Sequence, residues 1–129
     1  MRDFLVKWLP RLAVLVFLPA MAVVSWGELS TTAAAAEANF WDKGLHFIAY
    51  FGLAGILCVA LKGDRRALTA TLLVALFGGV LEILQGFVGR DPDIFDEIAN
   101  ILGAATGAGT GWFALWLVRP KTLAARMGN

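Results

Sequence analysis

Residues 67–88, ALTATLLVALFGGVLEILQGFV, are 22 consecutive positions with one charge, Glu82, and no proline. A helix that crosses a membrane needs roughly 17 to 25 mostly apolar residues, so this stretch reads as a span. Working outward, residues 44–61 precede it and residues 98–118 follow it as two further spans, the last with a start that can reach back to Asp93 as helix cap after Pro92. Residues 8–26 complete the set. They contain Pro10, Arg11 and Pro19, and Lys7 and Arg11 are expected to snorkel to the interface. The expected fold is all-α: a polytopic four-helix membrane protein, one domain over residues 1–129.

Composition agrees. Of 129 residues, 59% are hydrophobic and 16% charged, and the mean hydropathy of +0.72 excludes an ordinary water-soluble domain of this size. Eleven Lys and Arg against ten Asp and Glu leave no basic excess for nucleic acid, which is excluded as a partner. The lone cysteine, Cys58, reads as a small core side chain.

Charge placement orients the chain. Arg2, Lys7, Arg11, Lys62, Arg65, Arg66, Arg119, Lys121 and Arg126 fall on one side, and only Lys43 and Arg90 on the other. Because short loops rich in Lys and Arg stay in the cytoplasm, both termini are expected inside. Glu28, Glu37, Asp42, Asp91, Asp93, Asp96 and Glu97 then lie outside. A signal peptide cleaved before Glu37, after the small-residue run 33–36, is the rival reading of the N-terminus. Trp8 lengthens the segment towards a true span.

Charged side chains at membrane depth cost several kcal/mol, so each asks for a partner or a role. Asp42, Lys43, His46 and Tyr50 share one helical stripe, spaced by three and four. Gly78, Glu82 and Gln85 form a second stripe that ends near Arg90. Asp96 and Asn100 form a third, continued by Gly103, Gly107 and Gly111, which read as helix-packing glycines. At 1.5 Å per residue, the three stripes bring their polar members to one layer near the outer boundary. A polar pocket open to the outside and closed by apolar packing below is expected.

In that pocket Glu82 and His46 are the candidate acid/base pair, with Asp96 positioning Arg90 or His46. Lys43 and Arg90 are suited to a phosphate or carboxylate, and Asp42, Tyr50, Gln85 and Asn100 to orienting a bound molecule. No serine or thiol lies in the layer, which disfavours acyl-enzyme chemistry. With a single His no metal site or other cofactor is expected, although Asp42, Glu82 and Asp96 offer oxygen ligands for a hard cation. Asp91, Asp93 and Glu97 read as solvated loop and capping residues. Three functions stay open: an enzyme acting on a cell-envelope molecule, a non-catalytic binder of a lipid, glycopeptide or partner helix, and a small proton-coupled transporter. The apolar inner halves of the spans argue against the last.

The ordered set Asp42, Lys43, His46, Phe47, Tyr50, Glu82, Gln85, Arg90, Asp96, Asn100 and Gly103 resembles the VanZ-like family of small bacterial membrane proteins. The first span and the Ala-rich segment carry no part of this pattern. The resemblance implies a four-helix protein of the bacterial cytoplasmic membrane and, through the family's founding member, a link to resistance to the glycopeptide antibiotic teicoplanin. One difference is the acidic segment Asp91-Pro92-Asp93-Ile94-Phe95, where relatives have small, hydroxyl-bearing residues.

Overall fold

A computed structural model describes residues 1–37 and 41–118. The C-terminal cations Arg119, Lys121 and Arg126 lie outside the described residues, as do the side chains of Arg2 and Glu37. Five helices follow one another: α1 (Arg2–Leu29), α2 (Thr31–Glu37), α3 (Asp42–Ala60), α4 (Arg65–Gln85) and α5 (Ile94–Val118). No strand occurs among the described residues. All but the short α2 are long and apolar enough to cross a membrane.

The helix α1 starts well before Trp8 and runs through Pro10 and Pro19 without a break. A membrane helix tolerates this because neighbouring groups re-satisfy the freed carbonyls. Arg11 is accommodated by laying its guanidinium over the Trp8 ring, 5.2 Å from the centroid. Between α3 and α4 the chain reverses tightly. Lys62 and Gly63 both take positive φ, and Gly63 N–H donates to Cys58 O at 2.9 Å. Asp64 then caps α4 by accepting from Arg66 N–H at 2.8 Å. At its far end α4 stops at Gln85, three residues short of Val88, because Gln85 O accepts from both Val88 and Arg90 N–H as the chain turns. Asp93 closes this connection by capping α5 through Phe95 N–H at 2.9 Å.

The closest pairing is between α3 and α5, which run parallel. Gly103 faces the backbone carbonyl of Phe47, Gly107 that of Phe51, and Gly111 that of Gly55. A Cβ at Gly103 or Gly107 would run into main-chain atoms of α3, so these glycines are what permits the approach. Against this pair, α1 packs mainly on α3, and α4 on both. The core they enclose is small: Tyr50, Leu53, Ala54, Val74 and Ala104. The outward faces carry rows of exposed large apolar residues, such as Leu68, Leu72, Leu76 and Ile83 on α4. Exposed Trp26 and Trp41 lie at one end of the bundle, and Trp8, Trp112 and Trp116 at the other, as interfacial aromatic belts do.

Candidate functional site

The end marked by Trp26 and Trp41 gathers the C-terminal ends of α1 and α4 and the N-terminal ends of α3 and α5. Six polar or charged residues are buried among the described residues: Glu28, His46, Glu82, Gln85, Asp96 and Asn100. All belong to this end.

His46 is the centre. Its Nδ1 lies 3.1 Å from Asn100 Oδ1, and Asn100 Nδ2 donates to Glu97 Oε2 at 3.2 Å. Since the Asn100 amide nitrogen is committed to Glu97, its oxygen faces the ring, and His46 Nδ1–H is the donor. The other ring nitrogen, Nε2, is directed to Asp42 Oδ1 at 3.8 Å. On the Nδ1 side two carboxylates stand just beyond hydrogen-bond range, Glu28 Oε1 at 3.8 Å and Glu82 Oε1 at 3.9 Å.

Glu82 accepts the backbone N–H of Asp93 on Oε2 at 3.1 Å, while its Oε1 has no hydrogen-bond partner. Both Glu28 carboxylate oxygens and the Tyr50 hydroxyl are likewise buried without one. The Tyr50 hydroxyl lies towards the Glu28 carboxylate. The floor on the α4 side is Gly78. A Cβ there would sit 2.8 Å from Asn100 Nδ2 and Glu97 Oε2 and 2.9 Å from Tyr50 Cε1.

The two cations of this end are engaged with the protein. Lys43 binds Asp93 Oδ2 at 2.7 Å and Asp96 Oδ1 at 3.0 Å, tying the start of α3 to that of α5. The Lys43 ammonium and then the Phe95 N–H hold the Asp93 carboxyl below its ordinary value. Arg90 donates through one guanidinium nitrogen to Gly27 O at 2.9 Å and Glu28 O at 2.8 Å. A cation at the carbonyl end of α1 also complements the helix dipole. Gln85 adds a bond from Nε2 to Glu28 O at 3.2 Å.

The residues named from sequence thus stand together. Asp42, Lys43, His46, Tyr50, Glu82, Gln85, Arg90, Asp96 and Asn100 share one end, and Gly103, Gly107 and Gly111 run below it along α5. Of the two partners expected for Asp96, His46 stands beside it, with donor atoms within 4.8 Å, while its hydrogen bond goes to Lys43 and Arg90 reaches the end of α1. Sequence reasoning missed Glu28, which it placed in the outer loop. The structure brings it in because α1 runs unbroken to Leu29 and carries Glu28 to the level of Gln85. Asp93 and Glu97, read as solvated, are half-buried partners of Lys43, Glu82 and Asn100.

A groove of about 280 Å³ opens between α1 and α3, lined by Val23, Val24, Gly27, Leu45, Ile48 and Ala49 and ending on Glu28 and His46. Its rim residues Val23 and Ile48 are exposed on the apolar flank of the bundle.

Four helices long and apolar enough to cross a membrane, with a cluster of buried, largely acidic side chains at one end, define a small multi-pass membrane protein. A family model described as VanZ/LLP1 matches residues 4–117, and the chain belongs to that family. No curated protein and no solved structure matches it.

Proposed function

We propose that the buried layer lies at the extracytoplasmic side of a bacterial cytoplasmic membrane and binds, and exchanges protons with, a lipid-linked or peptidoglycan-related envelope molecule. The observation that carries this reading is the groove between α1 and α3. Its walls are apolar except for His46 and Glu28, and Val23 and Ile48 on its rim are exposed, so it suits an amphipathic molecule whose chain stays in the bilayer while its polar part meets the layer. The orientation rests on Lys7, Arg11, Lys62, Arg65 and Arg66 at the opposite end, against Lys43 and Arg90 here.

Within the layer, His46 and Glu82 are the groups suited to proton exchange. Their 3.9 Å separation is too long for a direct hydrogen bond, and an atom of a bound molecule set to one side of that line reaches both. Asn100 fixes the imidazole, and Tyr50 and Gln85 orient what enters. Asp42 and Asp96 support the outer edge of the ring. A non-catalytic binder is favoured by one observation: Lys43 and Arg90, the residues suited to grip a reacting phosphate, already serve Asp93, Asp96 and the α1 carbonyls. Teicoplanin resistance is the form the family's founding member gives to such an envelope role.

Profiling envelope lipids and peptidoglycan precursors in cells that express the wild type or Glu82→Gln tests this. A covalent product present only with the wild type supports an enzyme. Unchanged products with altered lipid or teicoplanin retention support a binder. No difference of either kind, with the variant inserted at normal yield, rejects the assignment.

A further inference from the structure

We infer that Glu28, His46 and Glu82 form a binding site for one divalent transition-metal cation. His46 Nδ1 is 3.8 Å from Glu28 Oε1 and 3.9 Å from Glu82 Oε1, and one donor atom from each of the three residues fits within 4.8 Å of the others. A cation bonded at about 2.1 Å holds its ligands roughly 3 to 4 Å apart, so only a small contraction is needed. The donors come from α1, α3 and α4, which closes the layer around the ion.

A second, independent observation points the same way. Glu28 and Glu82 are only 7% and 6% exposed, yet both Glu28 oxygens and Glu82 Oε1 lack hydrogen-bond partners. Buried polar atoms are normally paired, and unpaired ones carry a desolvation cost. The other Glu82 oxygen already holds Asp93 N–H, so Oε1 is the atom left to offer.

Binding would move the His46 proton. Nδ1 gives its lone pair to the ion, the N–H shifts to Nε2, and that nitrogen already faces Asp42 Oδ1, the carboxylate-behind-imidazole arrangement that supports metal-ligating histidines. Asn100 Oδ1, released from Nδ1, supplies a further oxygen. One nitrogen among several oxygens suits Mn²⁺ or Zn²⁺ better than Ca²⁺, which prefers oxygen alone. The neighbouring group of Asp42, His46 and Asp96 is the outer support, because Asp96 is held by Lys43. From sequence no metal site is expected because the chain has a single His.

This inference deepens the reading of the layer as a functional site, but ion binding is measured without any functional assay. The full chain, purified in detergent and stripped with a chelator, is given Mn²⁺ alone, followed by electron paramagnetic resonance, or Zn²⁺ alone, followed by metal analysis after dialysis. One ion per chain is expected. Glu28→Gln should abolish binding, Asp42→Asn should weaken it about tenfold, and Asp64→Asn at the opposite end should leave it unchanged. In case Glu28→Gln folds poorly, the second readout is an ion-dependent rise in the wild-type melting temperature that is absent in Glu82→Gln. Failure of the wild type to bind either ion, or undiminished binding in both Gln variants, overturns the proposal. Ion binding together with unchanged envelope profiles would instead defeat the functional reading alone.

Discussion

Asn100 shows how much rests on single side chains in this layer. It is fully buried and orients His46 while answering Glu97, so removing its amide leaves an imidazole N–H without its acceptor. Asn100→Leu should lower stability by roughly 1 to 3 kcal/mol, read as a fall in melting temperature in detergent, and Asn100→Asp, which keeps an acceptor for His46 but turns an oxygen on Glu97 where the amide donated, should not restore it. Asp93 gives the pH dependence. Its carboxyl is held below the ordinary 3.8 by Lys43, so its stabilising effect is complete above that value and is lost only as pH falls through the lower folded value. The melting temperature of the wild type should exceed that of Asp93→Asn at pH 7, and the two should converge below about pH 3.8. At this scale the sequence was readable where residues share a helix face, as with His46 and Tyr50 or Glu82 and Gln85. It was not readable for Lys43 with Asp93, or Arg90 with the end of α1, because those pairs depend on the path of the non-helical connection from Gly86 to Asp93.

The four spans were legible because hydropathy over some twenty residues is a strong signal, and Asp93 as cap of α5 was legible from Pro92 beside it. The glycine stripe of α5 was also visible, but not its partner: a small-residue face says that a backbone comes close, not which one. Its packing with α3 carries a prediction. Gly103→Ala puts a Cβ into the Phe47 carbonyl and should cost about 1 to 3 kcal/mol by overpacking, with loss of the layer above it. Gly109→Ala, which meets nothing within 4 Å, should stay within about 0.5 kcal/mol of wild type. Thermal unfolding of the two variants side by side in detergent checks the pairing. The extent of α1 was the other illegible feature. Pro10, Pro19 and Gly27 suggest breaks in water, whereas in lipid the helix continues to Leu29 and delivers Glu28.

For the whole molecule, the buried polar side chains among the described residues gather at one end of an apolar bundle, and the opposite end carries the cap Asp64 with the cations Lys7, Arg11, Lys62, Arg65 and Arg66. With Cys58 replaced by alanine, a cysteine at position 64 should react with a membrane-impermeant reagent only from the cytoplasm, and one at position 91 only from outside. The reverse pattern would invert the molecule. The central claim, that the layer around His46 receives an envelope molecule through the α1–α3 groove, is tested most directly by native mass spectrometry of the chain extracted from its own membrane. The wild type should retain one amphipathic envelope molecule and His46→Ala, at equal yield, should not. Equal retention by both, or none by the wild type, would contradict it.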